Sequence, residues 1–188
     1  MLKEQLILVA FGGNLPLEGE APAQFIPRAL EQLADLGLRI EHTSALYKTP
    51  CFPAGAGPDY VNGALSCSGN LTPDQVLEVL HQVECDFGRA RTSRWAGRTL
   101  DLDLIAVGSA VCPDESTVRD WLELPLDTQK LAAPDQLILP HPRIQDRAFV
   151  LVPLRDVAPD WRHPLLGKTV AEMYNSLPAE AVAEVVPL

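Results

Sequence analysis

Asp101 and Asp103 lie two residues apart in an otherwise apolar run, Thr99-Leu100-Asp101-Leu102-Asp103-Leu104-Ile105-Ala106-Val107, and no other stretch restricts the possible folds as much. The run reads as a β-strand. Strand side chains alternate faces, so both carboxylates project on one side while Leu100, Leu102 and Leu104 project on the other. A sheet holding this strand covers one face and keeps a polar site on the other. Two like charges ~7 Å apart repel by roughly 2–3 kcal/mol at an effective dielectric of ~20. A bound cation reverses that sign, so the pair reads as a metal site. Replacing either aspartate by asparagine is then expected to leave stability unchanged or slightly improved.

The preceding segment, Gly88-Arg89-Ala90-Arg91-Thr92-Ser93-Arg94-Trp95-Ala96-Gly97-Arg98, holds four of the eleven arginines and no lysine. The whole chain carries a formal charge of −10, so this basic loop is a local exception. Arginine's planar fork suits phosphate oxygens, and Trp95 offers a stacking face. Hard carboxylate oxygens beside such a loop point to Mg²⁺ carrying a polyphosphate, because Mg²⁺ usually takes one or two carboxylates plus substrate phosphates. An acidic chain argues against extended nucleic-acid or anionic-membrane binding, which needs a broad basic face.

A length of 188 residues predicts one well-cored domain spanning 1–188. No apolar run approaches the ~20 residues of a membrane span. The N-terminus reads as a first strand rather than a signal peptide. Cys51, Cys67, Cys85 and Cys112 are scattered without a metal-binding spacing. That argues against zinc and a disulfide framework, and for a reducing cytoplasm.

Gln5 to Phe11 reads as a buried strand closed by Gly12-Gly13-Asn14. Phe25, Ile26, Ala29, Leu30, Leu33 and Leu36 form a helical face, with Pro27 acceptable only near the first turn and Gly37 as the C-terminal stop. Leu38 to Tyr47 predicts a second strand. The Pro/Gly-rich segment 48–59 predicts a loop of the kind that forms lids. Tyr60 to Ser66 predicts a third strand, with Tyr60, Asn62 and Ala64 on one face. Thr72-Pro73-Asp74-Gln75 is a capping box opening a helix that Gly88 ends. The order β-α-β-β-α-β predicts an α+β, ferredoxin-like sandwich: an antiparallel sheet with helices mainly on one face and a site on the other. Asn62 and the two aspartates are expected on neighbouring strands. Residues 109–136 form a weakly patterned connection with a short helix at Thr117–Leu124. Arg143 to Leu151 reads as a helical turn or two before Pro153, and Thr169 caps a final helix.

Several short motifs occur in order: Phe11-Gly12-Gly13-Asn14-Leu15, Tyr47-Lys48-Thr49-Pro50, Pro58-Asp59-Tyr60-Val61-Asn62, Gly88-Arg89-x-Arg91, Arg94-Trp95, Arg98-Thr99-Leu100-Asp101-Leu102-Asp103, and Pro140-His141 followed by Arg147-x-Phe149. Together they resemble the 6-hydroxymethyl-7,8-dihydropterin pyrophosphokinase family of the folate pathway, from Leu6 to about Asp160. The resemblance implies transfer of the diphosphate of ATP to the pterin hydroxymethyl group, with release of AMP. It implies that Asp101 and Asp103 bind two Mg²⁺ ions and act in catalysis with Arg91 and Arg94. It also implies that Glu84, Arg91, Trp95, His141 and Arg147 contact ATP. The pterin is expected against Gly12, Thr49, Pro50, Phe52, Tyr60, Asn62 and Phe149, with Tyr60 and Phe149 as the aromatic pair and Asn62 at the ring edge. A neighbouring folate-pathway enzyme is the candidate protein partner, and a monomer is the expected state.

The chain departs from the family pattern in places. Cys51 stands where a second proline is common, and Pro142 follows His141 where an aromatic is common. Gln136 and Ile138 replace polar or basic nucleotide contacts, and the connection at 109–136 is longer than usual. Taken alone, Glu84 near a helix end reads as a solvated charge, and Tyr60 and Phe149 as core residues. Two other readings stand beside the pyrophosphokinase: another two-metal nucleotidyl- or phosphotransferase, and a pterin- or nucleotide-binding module without turnover.

Overall fold

A computed structural model of the chain describes residues 4–51, 57–88, 98–125, 128 and 134–188. In chain order the elements are β1 (Gln5–Gly13), α1 (Pro22–Asp35), β2 (Arg39–Thr43), β3 (Tyr47–Thr49), β4 (Tyr60–Gly69), α2 (Pro73–Asp86), β5 (Asp101–Val107) and α3 (Glu115–Glu123). A 3₁₀ turn (Ile144–Asp146) follows, then α4 (Ala148–Val157), α5 (Val170–Tyr174), α6 (Ala179–Ala183) and β6 (Val186–Pro187). The sheet is antiparallel and open, in the order β5-β1-β4-β3-β6, and β2 also pairs with β4. The α+β sandwich expected from the sequence is present.

The strand expected over Leu38–Tyr47 is two strands on one edge of β4, broken around Ser44. At the break the Ser44 backbone N–H donates to the Ala64 carbonyl, and the Ser44 hydroxyl accepts from the Ala64 N–H at 2.9 Å. A side chain thus replaces one ladder carbonyl. Lys48 and Thr49, expected in the following loop, belong to β3, where they pair with Val61 and Tyr60.

The α1/α2 face of the sheet carries the larger core. Ile7, Val9, Phe11 and Leu65 meet Phe25, Ile26, Leu33, Val76 and Leu80, together with Leu100 just before β5 and Leu102 and Leu104 within it. Thr72 caps α2: its hydroxyl accepts from the Gln75 N–H, and the Gln75 side chain accepts from the Thr72 N–H at 2.9 Å. Leu36 is not on the buried stripe. Helix α1 starts earlier than Pro27 suggested, at Pro22, and stops at Asp35, which leaves Leu36 at the cap and 39% exposed.

The opposite face is not left open along its whole length. Leu8, Ala10, Ala64, Ile105 and Ala106 pack against Val150, Leu151 and Leu154 of α4 and Val170 and Met173 of α5. Helix α4 runs through Pro153, longer than the turn or two expected. The carbonyl that Pro153 leaves without a donor belongs to Phe149, the exposed residue of an otherwise buried first turn. The uncovered end of this face carries Gly12, Asn62, Asp101 and Asp103. At the base of the long connection, Cys112 and Leu139 exchange two backbone hydrogen bonds of 2.9 and 3.0 Å. Among the described residues no helix is long and apolar enough to cross a membrane.

Candidate active site

Three strands build the floor of the uncovered end. Gly12 of β1 pairs with Asn62 of β4 on one side and with Asp101 of β5 on the other, while Ala10 pairs with Ala64 and Asp103. Asn62 and the aspartates are therefore not on neighbouring strands as expected: β1 lies between them. Strand order arises from long-range packing and is invisible to local periodicity. Gly12 must lack a side chain for a steric reason. A Cβ there would fall 2.3 Å from Asn62 Oδ1 and 3.2 Å from the Val61 carbonyl.

Asn62 is 8% exposed, and its Nδ2 donates to Thr49 Oγ1 at 2.7 Å. The buried carboxamide is thereby held in one orientation, with Oδ1 over Gly12. Tyr47, paired with Asn62, donates its hydroxyl to Asp156 Oδ2 at 2.6 Å. Burial, with that carboxylate, raises its pKa to about 12. Tyr60 stands two residues before Asn62 on β4, and Phe149 lies in the first turn of α4 beside Arg147. Burial raises the Tyr60 pKa as well, whereas Phe149 is 38% exposed. Pro50 is exposed, directly after β3.

The two carboxylates are each matched by an arginine. Arg98 pairs with Asp101, and Arg147 Nη1 lies 4.0 Å from Asp103 Oδ2. This corrects the repulsion argument: the pair does not require a cation to be tolerated. Neutralising either aspartate now also breaks an ion pair. The donor set nevertheless fits Mg²⁺. Two partly exposed hard carboxylates point from one strand face, and among the described residues no cluster of three or more acidic, cysteine or histidine ligands forms. Such a half-complete shell suits an ion whose remaining ligands are phosphates and water.

His141 reaches the site from the other side of β5, anchored by its backbone N–H to the Ile105 carbonyl at 2.9 Å. Its Nδ1 accepts from the Arg143 N–H at 3.1 Å, so the neutral ring carries its proton on Nε2. Burial, then the charges of Arg147 and Arg143, push its pKa down to about 3. It is therefore a neutral donor for an anionic oxygen. Arg147 is largely buried, which lowers its pKa, and it lies 5.6 Å from the Phe149 ring centroid.

Glu84 is not a solvated charge. It is fully buried in the last turn of α2, and its Oε1 accepts from the Leu102 N–H at 2.8 Å. The spacing of α2 puts it on the buried stripe with Val76, Leu80 and Val83. Phe52, Arg91, Arg94 and Trp95 lie outside the described residues. Of the family departures, Ile138 and Pro142 are buried and Gln136 is exposed.

Two residues with site roles escaped the sequence reading. One is Arg98, the partner of Asp101; its position three residues before Asp101 was the available signal. The other is Asn14. Its Oδ1 accepts from the Arg98 N–H at 2.9 Å and its Nδ2 donates to the Pro58 carbonyl at 3.1 Å. One 5% exposed side chain thus ties the end of the 48–59 segment to the end of the arginine loop. Nothing local to Asn14 announces partners so distant in sequence.

The 7,8-dihydro-6-hydroxymethylpterin-pyrophosphokinase (HPPK) family model matches residues 8–159. The chain is 37% identical over 181 residues to a 2-amino-4-hydroxy-6-hydroxymethyldihydropteridine pyrophosphokinase of Synechocystis, covering 96% of this chain and 80% of the relative. It is 36% identical to the Pseudomonas aeruginosa protein of the same name, with 95% of each covered. In shape it is similar to a Plasmodium falciparum HPPK-DHPS crystallised with pterin and p-hydroxybenzoate. The TM-score is 0.64 at 14% identity, over 93% of this chain and 44% of that one. The chain thus spans under half of that larger protein.

Proposed function

Because the chain belongs to the 7,8-dihydro-6-hydroxymethylpterin-pyrophosphokinase family, we propose that it moves the β,γ-diphosphate of ATP onto 6-hydroxymethyl-7,8-dihydropterin in folate biosynthesis. The pterin hydroxymethyl oxygen bonds to the β-phosphorus, the bond from that phosphorus to the α,β-bridging oxygen breaks, and AMP leaves. The hydroxyl proton is released in the same exchange.

The observation that carries this reading is the row Asp101–Gly12–Asn62. It sets a carboxylate and a fixed carboxamide on either side of a strand position with no side chain. A flat heterocycle lying over Gly12 meets the Asn62 Oδ1 acceptor at its edge, between the faces of Tyr60 and Phe149. Asp101 and Asp103 are the residues to hold Mg²⁺, in our reading two ions arriving with ATP. Bound there, Mg²⁺ neutralises phosphate charge and orients the attacking and leaving oxygens. Phosphoryl-type transfer needs little covalent help beyond such positioning and electrostatics. Arg98 and Arg147, already beside the carboxylates, are placed to turn toward phosphate oxygens, and His141 to donate its Nε2 proton in a hydrogen bond. Arg91, Arg94 and Trp95 complete the nucleotide side in this proposal, as Thr49, Pro50 and Phe52 complete the pterin side. The HPPK-DHPS chain of P. falciparum supports a neighbouring folate-pathway enzyme as partner. The same reading places the enzyme with the ATP pool of the cytoplasm.

Incubation with ATP, Mg²⁺ and hydroxymethyldihydropterin tests it. AMP and pterin diphosphate in equal amounts are expected. ADP, free pyrophosphate, or binding of both substrates without turnover would each overturn it.

A further inference from the structure

We propose that Glu84 is a positioning residue for the paired aspartates, acting through the backbone of β5 rather than through the nucleotide. The proposal rests on the reading that Asp101 and Asp103 hold the dication accompanying ATP. Strand β5 lies at the edge of the sheet, bonded to β1 on one side only. Among the described residues no strand lies on its other side, so each outward backbone group there needs a separate partner. Two such partners are present. The Ile105 carbonyl accepts from the His141 N–H at 2.9 Å, and the Leu102 N–H donates to Glu84 Oε1 at 2.8 Å.

Leu102 is the residue between the two aspartates. Its side chain is 3% exposed on the helix-covered face, while both carboxylates project from the opposite one. The peptide units on either side of Leu102 therefore set how far apart, and at what angle, the two carboxylates stand. A charge-assisted bond to the Leu102 amide is shorter and stronger than a neutral one, and it pins the strand where its geometry matters. Helix α2, whose buried stripe packs on the same core as Leu100, Leu102 and Leu104, supplies a rigid mount for that carboxylate. A side chain with no exposed surface has no open route to a nucleotide as the molecule stands. Groups that orient metal ligands typically change metal affinity by about 10- to 100-fold when removed.

The bond from the Leu102 N–H needs an acceptor rather than a charge, and this separates the variants. With E84L, the concentration of Mg²⁺ needed to saturate the protein in the presence of a non-hydrolysable ATP analogue should rise about 10-fold or more. Binding of the same analogue in EDTA should stay at the wild-type value. E84Q, whose amide oxygen can accept from Leu102, should restore Mg²⁺ binding. Calorimetric titration reads all three, and amide hydrogen exchange reads the bond itself: the Leu102 N–H should be slow in wild type and E84Q and fast in E84L. An E84L protein with wild-type Mg²⁺ titration would overturn the proposal. So would E84Q losing Mg²⁺ as E84L does, which stands even if E84L fails to fold. Weaker analogue binding in EDTA would mark a direct nucleotide contact instead. If wild type itself takes up no Mg²⁺ with the analogue, the reading of the aspartates falls first, and this outcome differs from a failure confined to Glu84.

Discussion

Replacing Gly12 by alanine exchanges one hydrogen for a methyl group at the centre of the site floor. The new Cβ would lie 2.3 Å from Asn62 Oδ1, far inside van der Waals contact, and 3.2 Å from the Val61 carbonyl. The backbone of β1 cannot easily retreat here, because Gly12 is paired with Asn62 on one side and with Asp101 on the other. The Asn62 side chain must therefore turn. Doing so breaks its 2.7 Å bond to Thr49 Oγ1 in a region where both residues are under 10% exposed. Leaving such a buried group unpaired costs about 1–3 kcal/mol of stability. The same turn removes the carboxamide from the pterin edge. Two neutral hydrogen bonds lost there amount to ~1–3 kcal/mol, or about 5- to 150-fold in pterin affinity. Fluorescence titration with the pterin, calorimetry with an ATP analogue and urea unfolding measure the three quantities separately. We expect weaker pterin binding, lower stability and unchanged nucleotide binding. Wild-type pterin affinity in G12A would refute the placement of the ring over this strand position.

Asp101→Asn and Asp103→Asn should each abolish turnover and weaken Mg²⁺ uptake. Contrary to the expectation from repulsion alone, D101N should lose rather than gain stability, by about 1 kcal/mol, because Arg98 keeps its partly buried charge without its partner; a thermal melt above wild type would contradict this. Asn14→Ala should raise KM for both substrates, since one side chain ties the ends of both loops; a change in only one KM would show that the loops are positioned independently. Acid should destabilise the protein through two histidines whose pKa values the fold lowers. His163 is fully buried, its Nδ1 accepts from the Leu165 and Leu166 N–H groups, and burial pushes its pKa down to about 4, with His141 down to about 3. Between these values and the ~6.5 of an unfolded histidine, only the unfolded chain takes up the protons. Stability is therefore complete above about pH 6.5 and falls as pH drops, by ~1.4 kcal/mol per unit for each ring. Urea midpoints at pH 7 and 5 check it, and a flat profile would refute it.

What the residues alone determined is local. The period-two alternation around Asp101 and Asp103 put both carboxylates on one strand face. The Thr72 capping box and the glycine after it set both ends of α2, and the order of elements set the sandwich. These features depend on neighbours within four or five positions, where backbone geometry leaves few choices. What tertiary structure decided is which distant groups meet. It put β1 between Asn62 and the aspartates, laid α4 over half of the second face, and gave each aspartate an arginine. It turned Glu84 from an apparent surface charge into a buried partner of Leu102, and joined Asn14 to Arg98 across 84 residues. Such contacts are selected by the packing of whole layers and by the need to satisfy each buried polar group. Neither condition can be evaluated until the chain has closed on itself.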